Sequence, residues 1–110
     1  MYFLKFTISD QGVSYDSWFR KVFLSWADVR DWGLSYSGRS KHGENVYDLY
    51  FSPHVCLVKN DCKKKLKGKM IKFQMVGKEY GETVSRIIPF CRMKTTVEPF
   101  IGKDIFHFLL

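Results

Sequence analysis

The chain is short of the features that mark several protein classes. Its 110 residues include only three prolines and eight glycines, which excludes collagen-like and low-complexity chains. No apolar run approaches the ~20 residues that a membrane-spanning helix needs. The opening MYFLKF lacks the basic region, long apolar stretch and small-residue cleavage site of a secretory signal. Cysteine is scarce: Cys56, Cys62 and Cys91 are an odd number without framework spacing, so reduced thiols in a cytoplasmic protein are expected. There is no Walker loop, no dinucleotide fingerprint and no His-Glu-x-x-His motif. No biochemical activity can be read from such a sequence.

What is present describes one folded domain. The chain is too short for two domains. Its 45% hydrophobic and 26% charged residues are the proportions of an ordinary globule and not of a disordered chain. Aromatics reach 17%, which favours strands and a well-filled core.

The net charge of +7 is concentrated. Residues 59–72 hold Lys59, Lys63, Lys64, Lys65, Lys67, Lys69 and Lys72 against Asp61 alone, while the other ninety-six residues carry eleven basic and ten acidic side chains. Such a patch on a near-neutral body can attract phosphates, anionic lipid heads or acidic proteins. The plainer reading is a solvated hairpin whose lysines blunt a sheet edge. All seven cations are lysines, flexible point charges without the planar fork of arginine, so recognition through Lys63, Lys64, Lys65, Lys67 and Lys69 would be loose and salt-sensitive.

Alternation of period two predicts a series of strands. Tyr2, Leu4, Phe6 and Ile8 share a face of the first, Ser9-Asp10-Gln11-Gly12 turns, and Val13 and Tyr15 mark the second. Residues 18–26 follow, with Val22, Leu24 and Trp26 opposite Phe23 and Ser25. After a break at Ala27-Asp28-Val29, Arg30, Trp32, Leu34 and Tyr36 alternate with Asp31, Gly33, Ser35 and Ser37. A polar loop leads to the strand Asn45–Ser52, with Tyr47, Leu49 and Phe51 inward, which Pro53 ends. Residues 55–59 read as a short strand. Four odd-numbered lysines and Ile71, Phe73 and Met75 cannot share one half-buried face, so the register must change, most naturally at Leu66-Lys67-Gly68-Lys69. Residues 69–76 then form the last long strand. Tyr80, Val84, Ile87, Ile88 and Cys91 have amphipathic-helix spacing, with acids early and Arg86, Arg92 and Lys94 late. Pro89 should kink or stop that helix. The tail, with Phe100, Ile101, Ile105, Phe106, Phe108, Leu109 and Leu110, is apolar enough to pack on the body, or else to meet another chain.

Strands in this order, closed by a helix, suggest a mainly β fold: a partly open antiparallel barrel of six or seven strands, capped by a C-terminal α-helix over residues 1–94, with residues 95–110 packed on the same domain. Ile8-Ser9-Asp10-Gln11-Gly12-Val13-Ser14, Lys21-Val22-Phe23-Leu24-Ser25-Trp26-Ala27-Asp28-Val29 and Tyr47-Asp48-Leu49-Tyr50-Phe51 resemble the small bacterial pleckstrin-homology-like domains. There a Gly-Val/Ile second strand leads to an Ile/Leu-x-Trp-x-Asp/Glu-Val/Ile segment. The resemblance implies a non-catalytic binding or scaffolding module without a cofactor, although fold alone does not give function. Lipid-binding members of the wider fold carry clustered cations in the loop joining the first two strands. Here that loop is Ser9-Asp10-Gln11-Gly12, so no specific inositol phosphate is expected.

Other chemistry reads weakly. His54, Cys56 and Cys62 lack a paired Cys-x-x-Cys knuckle and a nearby fourth ligand, so no metal is expected. Cys91 could pair with His42 or His107 as nucleophile and base, but it falls on the apolar helix stripe, where a core thiol is the simpler reading. Asp28 and Asp31 read as turn residues. Trp18, Trp26 and Trp32 read as core or core edge, whereas an exposed Trp18–Phe19 pair would offer a protein-contact or dimer surface. The expected partner is therefore a protein or a second copy. Anionic membrane is the alternative, and nucleic acid is disfavoured because the lysine patch lacks interleaved aromatics.

Overall fold

A computed structural model of the chain describes residues 2–3, 6–66, 70–76 and 79–102. Leu4, the Lys67-Gly68-Lys69 part of the expected turn, His107, and the tail residues Ile105, Phe106, Phe108, Leu109 and Leu110 lie outside them. Among the described residues the chain is mainly β, with one α-helix.

The first sheet is an antiparallel meander of β1 (Tyr2–Phe3), β2 (Phe6–Ile8), β3 (Gly12–Asp16) and β4 (Lys21–Ser25). The single opening strand expected from the alternation is instead two strands, because Phe3 pairs with Phe6 and Tyr2 with Thr7. Odd-numbered Phe3 opposite even-numbered Phe6 changes the parity, so the one alternation expected from Tyr2 to Ile8 does not run through both strands. The next hairpin forms as the sequence indicates, with Ile8 opposite Val13. A 3-10 turn at Trp26–Asp28 then redirects the chain.

The second sheet has the order β10 (Phe100–Ile101), β5 (Asp31–Arg39), β6 (Asn45–Ser52), β9 (Ile71–Val76). Strand β10 runs parallel to β5, and the other pairs are antiparallel. Gly43, at φ 78°, supplies the left-handed residue in the β5–β6 connection. A ribbon of β7 (Leu57–Val58) and β8 (Lys64–Lys65) forms a third, two-stranded sheet. No closed barrel forms among these strands. The two four-stranded sheets instead share one core.

That core is aromatic at its centre. Phe51 stacks parallel to Trp32 at 5.9 Å between centroids, meets Trp26 edge-on at 6.0 Å and lies 6.1 Å from Phe6. It thereby joins the first sheet, the 3-10 turn and the second sheet. Helix α1 (Glu79–Lys94) contributes Ile87, Ile88 and Cys91 to the same core. The side chains of Tyr80 and Val84 are outside the description. The expected break at Pro89 does not occur: the helix continues through it. Pro89 lies on the exposed side of the helix, away from the stripe that packs on the core. Lys94 anchors the helix end to the β2–β3 turn through Asp10 at 2.8 Å. This contact holds the Asp10 carboxyl below its ordinary value.

Strand β6 is buried on both faces from Val46 to Ser52, whereas alternation predicts one buried face. Tyr47, Leu49 and Phe51 face the main core. Tyr50 belongs to a second, smaller core with Cys56 and Met70, flanked by Leu66 and Phe100. Strand β10 reaches this outer layer by pressing its Phe100 backbone onto Gly33, where a Cβ would meet the Phe100 carbonyl oxygen.

Two substitutions test this packing. Phe51→Ala should lower the unfolding free energy by about 3–5 kcal/mol, measured by urea denaturation. Gly33→Ala should lower it by about 1–3 kcal/mol through overpacking. Hydrogen exchange should rise selectively over residues 97–102 as β10 detaches.

Candidate functional site

The expected anion-binding lysines do not form one surface. Lys64 turns inward, and its side chain is only 9% exposed. Its Nζ donates to Asp31 Oδ2 at 2.7 Å and lies over the rings of Phe100 and Tyr50, at 5.1 and 6.0 Å from their centroids. Lys63 Nζ lies 5.3 Å from the centre of the Tyr36 ring. Lys65 is exposed. Lys67 and Lys69 lie outside the described residues.

Asp31 is the centre of this arrangement. It is a buried residue at the start of β5, on the face opposite Trp32, and not a turn residue as its surroundings in sequence suggest. Besides Lys64, its carboxylate accepts from the Tyr50 hydroxyl at 3.1 Å and from the Cys56 backbone N–H at 2.8 Å. The Lys64 N–H donates to Ser35 Oγ at 2.8 Å, and the Tyr36 N–H to the Cys62 carbonyl, also at 2.8 Å. Asn60 turns the ribbon by accepting from the N–H groups of Cys62 and Lys63. The network thus ties the β7–β8 ribbon over the outer face of the second sheet. Burial, and then the neighbouring Asp31 charge, pushes the Tyr50 phenol upward, so it remains a proton donor. Asp31 has three donors from three segments, which suits a structural clamp.

A different end of the molecule offers a contact surface. Residues 17–20 make the turn between β3 and β4. Ser17 N–H donates to the Arg20 carbonyl at 2.7 Å, and the Arg20 N–H donates to Ser17 Oγ at 3.1 Å. The apex residues are Trp18, 91% exposed, and Phe19, 74% exposed, with rings edge-to-face at 5.7 Å. An Arg20 guanidinium nitrogen donates to the Met70 carbonyl at 3.1 Å. This bond brings the aromatic turn beside the end of the lysine-rich segment. Between them lies an open cleft of about 340 Å³ lined by Tyr15, Arg20, Leu66, Met70, Ile71 and Lys72. The sequence separates Trp18 and Phe19 from the lysine run by some forty residues, and the fold joins them. The sequence marks Lys72 only as part of the cationic window, and nothing local places Arg20 beside it. Neither had a local signal beyond its charge.

Among the described residues the thiols and histidines form no shared cluster. None of the three cysteines is in a disulfide. Cys91 is buried, which pushes its thiol up to about 12, so it carries no thiolate at neutral pH. His42 lies on the exposed β5–β6 connection. Among the described residues no three His, Cys, Asp or Glu side chains converge.

Asp48 gives the outer face a pH dependence. Burial raises its carboxyl above the ordinary 3.8, opposed by Lys72 and a Ser37 hydrogen bond. A raised folded-state value favours the fold below the unfolded value, and that contribution is lost as pH rises through the raised one. Asp48→Asn should therefore gain stability relative to the parent as pH rises above the ordinary carboxylate value, measured by thermal melting. Lys64→Met should lower the unfolding free energy by about 3 kcal/mol or more, and Asp31→Asn combined with it should recover part of that loss in urea titrations. Comparison with protein-family models, curated proteins and solved structures finds no match to this chain.

Proposed function

We propose that the chain is a non-catalytic interaction module with a pleckstrin-homology-like fold, and that its contact end is the aromatic turn between β3 and β4. A four-stranded antiparallel sheet, then antiparallel β5, β6 and β9 with the β7–β8 ribbon inserted before β9, then a core-packed helix, supports the fold reading. The observation that carries the function is the exposure of Trp18 and Phe19 on a turn closed by hydrogen bonds on both sides. Large aromatic side chains exposed together on a turn are common anchors of a contact surface. Asp31 is committed to three donors and Cys91 to the core, which supports a module without catalytic groups at these positions.

The partner is a protein or a second copy of the chain. Val55, just before β7, and Leu57 and Val58 on it are also exposed, and add apolar surface that a second copy could cover. The alternative is a salt-sensitive contact with an anionic surface through Lys63, Lys64, Lys65, Lys67 and Lys69. The Lys64–Asp31 pair weakens that patch as a unit and shifts the attraction toward the turn.

Substituting both Trp18 and Phe19 by Ala should change the unfolding free energy by less than about 0.5 kcal/mol, since neither ring packs in the core. A loss well above that would make the pair structural and remove the contact reading. Light scattering over a range of concentrations should show mass growth that the double substitution abolishes. A strictly monomeric parent would remove the second-copy form.

A further inference from the structure

Resting on the reading of the aromatic turn as a contact for a second copy, we propose that two chains join edge to edge through β4. They run antiparallel about a two-fold axis at Phe23, so that their first sheets continue into one another. Among the described residues β4 pairs with β3 alone, which leaves its other side an edge of five residues. Hydrogen-bond parity decides which residues serve that edge. Ser17 and Arg20 exchange both backbone hydrogen bonds, at 2.7 and 3.3 Å. From there the register runs without a shift through Asp16–Lys21 to Gly12–Ser25. Bonded and non-bonded pairs alternate along an antiparallel ladder. Val22 and Leu24 therefore bond to β3, while Lys21, Phe23 and Ser25 turn their N–H groups to the open side. Phe23 is the middle residue of the strand. Set on the axis, it exchanges two bonds with its own copy, and each Ser25 N–H donates to the partner's Lys21 carbonyl. The edge thus complements itself, as an isologous contact requires.

The side chains fit the same register. Phe23 is 57% exposed although large and apolar, and the axis sets the two rings side by side on the outer face. Lys21 comes opposite the partner's Ser25. Ser25 Oγ donates to Asp28 Oδ2 at 3.0 Å, so an exposed carboxylate stands where the partner's lysine arrives. Within the chain Lys21 meets Asp16 at 4.0 Å with both side chains largely in solvent, a contact weak enough to yield. The two copies of Lys21 stay about 13 Å apart along the strands, so they do not repel at close range. Beyond the strand ends, Trp18 and Phe19 come abreast of the partner's Asp28 and Ala27, both exposed. Each aromatic turn thereby covers one end of the joint. Lysine usually guards an edge against pairing. Here the lone lysine of β4 gains an acid by pairing.

Sedimentation of the whole chain should show a species of two chains and nothing larger, since a two-fold joint closes. Phe23→Lys should raise the dissociation constant by about ten-fold or more. It should keep the folded circular dichroism spectrum, because the position is exposed in the single chain. Oxidation by diamide should cross-link the Phe23→Cys variant into dimers, since facing Cα atoms lie ~5.5 Å apart. The Lys21→Cys variant should not cross-link, its two copies being too distant, and the oxidised parent controls for the native thiols. A strictly monomeric parent, association unchanged by Phe23→Lys, or equal cross-linking of the two thiol variants overturns the proposal. If replacing Trp18 and Phe19 by Ala abolishes an association that Phe23→Lys leaves intact, the β4 joint falls and the contact end stands. If neither variant changes it, both readings fall.

Discussion

The outer layer of the molecule depends on one buried carboxylate. Asp31 begins a strand whose other face builds the main core, so its side chain must point into the layer beneath the β7–β8 ribbon. A carboxylate there is tolerable only when its lone pairs are met. Tyr50, Cys56 and Lys64 meet them from three segments. Removing any one donor exposes the others to an unbalanced charge, which explains why a ribbon of only two residues per strand can stay ordered over the sheet. The aromatic stripe around Phe51 supplies the bulk of the packing, and Asp31 determines which way the lysine-rich segment folds.

That orientation changes the meaning of the charge. Read along the chain, Lys63 to Lys69 are a single cationic run. In the fold, Lys64 serves the interior, Lys63 leans on Tyr36, and Lys65 faces water. The cation that matters most to the proposed contact is Arg20, which is remote in sequence from the run. Its single hydrogen bond to the Met70 carbonyl couples the two sheets at the end where Trp18 and Phe19 project. A contact surface built this way has exposed aromatic rings at the front and diffuse positive charge behind. The first element confers position and the second long-range attraction.

Several elements were legible because their physics is local. The β2–β3 turn, the boundaries of Asn45–Ser52, the stop at Pro53 and the helix stripe through Ile87, Ile88 and Cys91 follow from alternation, turn chemistry and helical spacing. The misreadings arose where neighbours decide. The pairing of Phe3 with Phe6 inverts the parity of the opening alternation, which the residue types alone do not signal. Pro89 is tolerated because its side of the helix faces solvent. The parallel pairing of Phe100 and Ile101 requires the missing Cβ of Gly33, sixty-seven residues earlier. The contact residues Trp18 and Phe19 were visible as aromatics, but their exposure was not, since the same residues would fit a core strand equally well.

By itself the sequence determined a mainly β chain with one helix after the long strands, an aromatic core and an uneven cationic charge, because hydrophobic period, turn residues and net charge are properties of neighbours along the chain. Only the tertiary structure decided that β6 is covered on both faces, that Lys64 is an interior residue, and that Arg20 joins the aromatic turn to the lysine-rich segment. Those outcomes depend on which distant groups meet. A charge is solvated or buried according to the partner that reaches it, and no local pattern encodes that partner.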